Sequence, residues 1–138
     1  MIFNQATDYG FRIVLYLSRQ PENKRIEALE MSQNEKIPER FLFKIMRKLS
    51  AAGIVKSYRG AKGGYALGRG PENITMADVV EAVEGPICVN VCFKGENHCN
   101  KSAVGYCVVH QELAKLRQDI SDRLKFVTFR KLLENENE

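Results

Sequence analysis

The chain has 138 residues, a net charge of +4 and 44% apolar composition. That length supports one compact unit of about 100–150 residues with an appended helix, and it excludes two large independent cores. The first residues, Met1 to Asp8, lack the basic stretch and apolar run of a signal peptide. No segment approaches the roughly 20 apolar residues of a membrane span, so a cytoplasmic location is expected. Charge is unevenly spread: residues 1–70 hold 13 Lys/Arg against 6 Asp/Glu, and residues 71–138 hold 8 against 11.

Apolar periodicity predicts a first helix over about Asn4 to Ser18, with Ala6, Tyr9, Ile13, Val14 and Leu17 on one face. A short second helix is expected from about Ile26 to Gln33, with Ile26, Leu29 and Met31 inward. A third starts at Pro38, preorganised for a helix's first position, and runs through Phe41, Leu42, Ile45, Met46 and Leu49 to Ala52, with Gly53 as its left-handed cap. Two short helices joined around Asn34-Glu-Lys36, the second of them basic, have the proportions of a helix-turn-helix. Two strand-like runs then flank the glycine-rich turn Arg59-Gly-Ala-Lys-Gly-Gly64, a hairpin placed where a wing belongs.

From Lys36 to Arg69 there are nine Lys/Arg and a single acid, Glu39. That bias suits a surface facing phosphates, although a solvated basic face is the plainer alternative. On the third helix Arg40, Lys44 and Arg47 recur about one turn apart, with Phe43 placed to touch a thymine methyl and Pro38 at the helix entrance. Arg40 is the first candidate for base contact, because recognition helices present their amino-terminal residues to base edges. Lys44, Arg47 and Lys48 suit phosphate contact or solvation. Arg59 and Lys62, at the hairpin tip, suit the electronegative minor groove.

Further on, Thr75-Met-Ala-Asp78 resembles a capping box that opens a helix through Glu84. The cysteines follow, at 88, 92, 99 and 107 and nowhere else, with His110 three residues after the last. In a cytoplasmic setting such crowding points to a metal or redox site before structural disulfides. Val109, Leu113, Leu116, Ile120, Leu124 and Val127 then form one stripe on a long amphipathic helix, roughly 28 Å at about 1.5 Å per residue. That stripe either packs back on its own domain or pairs with a second copy. No serine–histidine–acid set, phosphate-binding loop or paired catalytic carboxylates stand out, so an enzyme is not expected.

Thr7-Asp-Tyr-Gly10, Leu49-Ser-Ala-Ala-Gly-Ile-Val55, the wing Arg59 to Tyr65, Ile74-Thr-Met-Ala-Asp-Val-Val80 and three spaced cysteines before a long helix occur in this order. Together they resemble the winged-helix iron–sulfur transcriptional regulators of the IscR/NsrR-like family, over nearly the whole chain. The resemblance implies a mainly α fold with a small β-hairpin: a winged helix-turn-helix over 1–84, a cysteine-rich cluster-binding loop over 85–110, and a dimerisation helix and tail over 109–138. It also implies a homodimer that binds a double-stranded DNA operator, most often as a repressor. Control would come from a two-iron or four-iron cluster that senses redox state, nitric oxide or iron–sulfur status.

By the same resemblance Cys92, Cys99 and Cys107 are the three cluster cysteines, although six and seven residues separate them where five and five are usual. The fourth ligand is either His110, as in IscR-like members, or Asp8, which in NsrR-like members reaches across the dimer. Cys88 has no counterpart in that triad and reads as a half-buried spare thiol, and His98 as an exposed residue. Two alternatives remain. Cys92, Cys99, Cys107 and His110 also make a closed zinc set, and a thiol-redox regulator would need no cluster. An electron-transfer protein would leave the basic helix and wing unexplained.

Overall fold

The computed structural model describes residues 3–95 and 98–137. Its first helix, α1 (Gln5–Ser18), starts where the Asn4 side chain accepts the Thr7 backbone N–H at 2.9 Å, satisfying one of the donors every helix start leaves open. Ile13, Val14 and Leu17 are buried along it. Thr7 is also fully buried, and its hydroxyl donates to the Glu84 carboxylate at 2.5 Å. At Gly10 a Cβ would come within 3.1 Å of Val79 and 3.2 Å of Val83. The Thr7–Gly10 stretch is therefore the seam between α1 and the helix that carries Val79.

Helices α2 (Ala28–Glu35) and α3 (Glu39–Ala51) are joined by a turn in which Lys36 takes the left-handed conformation. The second helix begins later than expected. Ile26 is buried, but in a two-way backbone bridge to Tyr65, and Leu29 faces outward, 51% exposed. Phe41 likewise sits at the surface, its ring against Tyr9 of α1. Pro38 is the cap of α3, one position ahead of its first turn.

The end of α3 fits the expectation. Gly53 has φ +75°, its N–H donates to the Ser50 carbonyl and that of Ile54 to the Leu49 carbonyl, the bond pattern that closes a helix on a glycine. The wing follows as β1 (Val55–Tyr58) and β2 (Gly64–Leu67), antiparallel with Val55 opposite Leu67 and Tyr58 opposite Gly64. Thr75 and Asp78 form the predicted capping box at the head of α4 (Met76–Val83).

Helix α5 (Val108–Phe126) carries the long stripe but stops one residue short of Val127. Thr75 and Thr128 pair as an isolated antiparallel bridge, Met76 donates to the Val127 carbonyl, and Phe129 donates to the Ile74 carbonyl. Thr128 then caps a further helix, α6 (Phe129–Glu136), where the sequence suggested only a tail. This helix returns to α1 and places Phe129 fully buried among Ile13, Val14, Leu17, Leu42 and Ile74. A smaller cluster of Ala77, Val80 and Leu124 joins α4 to the end of α5. Among the described residues no helix is long and apolar enough to cross a membrane.

Candidate DNA-binding surface and cysteine loop

The apolar side of α3 is set by Leu42, Ile45, Met46 and Leu49, all buried. The helical period therefore turns Arg40, Lys44 and Arg47 to the opposite, solvent-facing side, with Phe43 beside them and Pro38 exposed at the entrance. The Arg40 guanidinium lies over the Phe41 ring, 4.8 Å from its centroid, which holds a long side chain near the start of the helix. Arg59 and Lys62 are exposed in the turn between β1 and β2. These basic residues thus lie on the outer side of α3 and in the turn of the wing, whose first strand packs against α3.

Lys48 is exposed as well but has a partner inside the domain. Its ammonium donates to the Val83 carbonyl at 3.0 Å, satisfying an open acceptor at the end of α4 and tying α3 to it. Arg25 joins the wing instead, with its guanidinium 3.8 Å from the Tyr58 ring centroid. Sequence reading missed it, because an arginine in a loop carries no periodic signal and its partners are distant along the chain.

In the rear half, a 3₁₀ turn at Val91–Lys94 presents Cys92 and Phe93 to the first turns of α5. His110 Nδ1 lies 3.0 Å from Cys92 Sγ, and the imidazole stacks on Phe93 at 4.4 Å between centroids. Arg117, two turns further along α5, covers Phe93 at 4.9 Å. Cys107 is the cap of α5, its sulfur accepting the His110 backbone N–H at 3.4 Å. Cys99 is held by backbone donors: the Ala103 N–H first, then those of Lys101 and Ser102, together with the Lys101 charge, keep its thiol below the usual cysteine range.

The loop therefore brings Cys92 to His110 and sets Cys107 at the same helix end. Among the described residues no three of His, Cys, Asp and Glu converge into a ready metal cage. Cys88 is half-buried and donates to the Asn90 carbonyl at 3.0 Å, and His98 is exposed. Asp8 lies elsewhere, on α1, in an ion pair with Arg12 at 2.7 Å. The same guanidinium donates to the Glu35 carbonyl at 3.2 Å, at the turn of the helix-turn-helix.

Toward the cysteines the α5 stripe is largely exposed: Val109 is 60% and Leu116 48% exposed with Leu113 half-buried between them, whereas Leu124 at the far end is buried. Among the described residues, Ile120 and Leu124 near its carboxyl end pack against α4.

The model of a protein family, Rrf2 (iron-dependent transcriptional regulator), matches residues 3–135. An HTH-type transcriptional regulator of Aquifex aeolicus is 30% identical over 133 residues, 96% of this chain and 92% of its own. The HTH-type transcriptional regulator NsrR of Bacillus licheniformis is 29% identical over 138 residues, 99% of this chain and 95% of its own. Among solved structures, CymR (YrzC), the global cysteine regulator of B. subtilis, has a TM-score of 0.77 at 26% identity, covering 98% of both chains. T. potens IscR has the same fold, with a TM-score of 0.79 at 22% identity over 99% of this chain and 88% of its own. With the helix-turn-helix and wing in place and the family match running from α1 to α6, the chain belongs to the Rrf2 family of DNA-binding transcriptional regulators.

Proposed function

We propose that the chain is a homodimeric regulator, a repressor in the first instance, whose operator binding is controlled by an iron–sulfur cluster. Cys92, Cys99 and Cys107 would hold it, with His110 or Asp8 as fourth ligand. The observation that carries the reading is the Cys92–His110 pair, a thiol sulfur and a ring nitrogen 3.0 Å apart at the start of α5. Two such donors bound to one tetrahedral metal stand about 3.5 Å apart, given metal–sulfur and metal–nitrogen bonds of about 2.3 and 2.1 Å. A shift of roughly half an ångström makes the pair a chelate by that measure. Cys99 suits ligation as well, since its backbone donors favour the anionic sulfur that metals bind.

The exposed Val109 and Leu116, with the half-buried Leu113 between them, support pairing of two copies along α5 next to the cysteines. Such a dimer doubles the basic helix and wing, so that two half-sites can be read about one helical turn apart. Arg40, with Phe43 and Pro38, would meet base edges, while Lys44 and Arg47 contact phosphates and Arg59 and Lys62 enter the minor groove. A cluster with one non-thiolate ligand supplies an iron site open to oxygen or nitric oxide. If Asp8 is that ligand, it must release Arg12, which also holds the Glu35 carbonyl. Loss of that partner would then loosen Arg12 at the turn of the helix-turn-helix.

Protein purified without oxygen is the test. It should be coloured and hold iron with acid-labile sulfide, and Cys92→Ala, Cys99→Ala and Cys107→Ala should each abolish the colour while Cys88→Ala retains it. A colourless protein with stoichiometric zinc would move the reading to a structural Cys₃His site. A second reading is a thiol-redox regulator without any metal. It is favoured by the separation of Cys99 from the Cys92–His110 pair among the described contacts and by the likeness to a cysteine regulator. Metal-free protein whose DNA binding responds to thiol oxidants would select it.

A further inference from the structure

The wing is not a free hairpin. Ile26, in the loop between α1 and α2, exchanges two backbone hydrogen bonds of 2.8 Å with Tyr65 of β2. Gly64 has φ +139°, and a Cβ there would stand 2.7 Å from the Ile26 carbonyl oxygen, so only glycine lets the strand come this close. One residue before Ile26, the Arg25 guanidinium lies 3.8 Å from the Tyr58 ring centroid and donates to the Lys62 carbonyl at 3.2 Å. It therefore touches the last residue of β1 and the turn at once, on either side of Arg59. A two-stranded hairpin is marginal on its own in water, and Arg25 is the polar side chain that fastens its tip to the body of the domain.

We propose that Arg25 is a positioning residue for DNA recognition: by bracing Tyr58 and the Lys62 backbone it fixes the wing turn so that Arg59 and Lys62 reach the minor groove together. This rests on the reading of Arg59 and Lys62 as DNA contacts. The chemistry calls for arginine. Its planar guanidinium stacks on a ring through its face and donates through its edge in one geometry, which a lysine ammonium cannot do. Arg25 is exposed and outside the apolar core, so its loss falls on the wing rather than on the fold.

The test uses full-length protein purified without oxygen and a duplex that the wild-type protein selects from a random-sequence pool. Arg25→Ala should weaken binding about tenfold, and Arg25→Lys should fall close to it despite keeping the charge. Arg59→Ala should cost much less in the Arg25→Ala background than in the wild type, because a wing already displaced has little left to lose. Hydroxyl-radical footprints should lose protection in the minor groove under the wing, while guanines under α3 stay protected from methylation. Binding of Arg25→Ala within about twofold of wild type, full rescue by Arg25→Lys, or strictly additive losses would overturn the proposal; additivity would make Arg25 a separate phosphate contact. Harmless Arg59→Ala and Lys62→Ala would sink the wing reading and this proposal with it, whereas a harmless Arg25→Ala alone sinks only the proposal.

Discussion

His110 Nδ1 and Cys92 Sγ are 3.0 Å apart across 18 positions of sequence, and this contact joins the cysteine loop to the long helix. It makes His110 the stronger candidate for the fourth ligand. His110→Ala should change the absorption spectrum of the metal-loaded protein more than Asp8→Ala does. Every ligand must shed its proton to bind, so acid should compete with the metal through the thiolates in both proteins, and more steeply in the wild type, which has one protonatable ligand more. The reverse pattern would assign the site to Asp8, and unchanged spectra in both would assign it to another thiol or an outside ligand.

The two lysine and arginine roles on α3 separate by experiment. Arg40→Ala should cost about 1–3 kcal/mol of operator binding and relax one base preference. Lys48→Ala should instead leave affinity nearly unchanged and lower stability by about 0.5–1.5 kcal/mol, because its partner is the Val83 carbonyl. DNA titration alongside thermal melting distinguishes them, and a DNA-binding defect in Lys48→Ala without loss of stability would contradict the assignment.

Thr7 is the only buried hydroxyl facing Glu84 among the described contacts. Thr7→Val keeps the shape and removes the donor, and should destabilise the fold by about 1 kcal/mol. Thr7→Ser should lose less. Denaturant unfolding of the three proteins checks the order, and equal stability of Val and Thr would show that the hydrogen bond contributes nothing net.

Helix α6 is held to α1 by Arg19 and Glu136, a two-point contact between guanidinium and carboxylate. The hydrogen bond from Arg19, helped by its charge, keeps the Glu136 carboxyl below the usual carboxylate range, and the same bond raises Arg19. A depressed carboxylate contributes stability that is present above its unfolded value and is lost as pH falls through the folded one. Amide protection in the last turn of α6 should therefore drop in acid, and Arg19→Gln should flatten that dependence. An identical acid profile in Arg19→Gln would remove the pair from the account.

Elements with a strong period or a defined cap were legible in the sequence. The stripe of α1, the glycine closure of α3 at Gly53 and the Thr75–Asp78 capping box all follow from local chemistry. The apolar side chain of Ile26 suits the inner face of a helix and a bridge partner equally, and here the bridge to Tyr65 wins. The last helix was missed although Thr128, Phe129, Leu132 and Leu133 carry a cap and a helical step. The long stripe of α5 masked the break at Val127. At the site, cysteine spacing offers candidate donors but not which of them meet: Cys92 reaches His110 because the Val91–Lys94 turn folds back on α5.

The backbone clamp at the root of α5 makes that helix a lever. Val127 accepts from Met76 and Phe129 donates to Ile74 through main-chain bonds of 2.9 Å each, which pin the root of the helix to the head of α4. The arm beyond it is 19 residues, about 28 Å, and a tilt of about 5° at the fulcrum moves the Cys107 end by about 2.5 Å. A displacement at the cysteine end of a rigid α5 would arrive at the root reduced in the same ratio. The root presses on α4, and α4 is joined to α3 through the Lys48–Val83 bond. If the cysteine end gains or loses a ligand as proposed, the shift there would reach α3 as a smaller one.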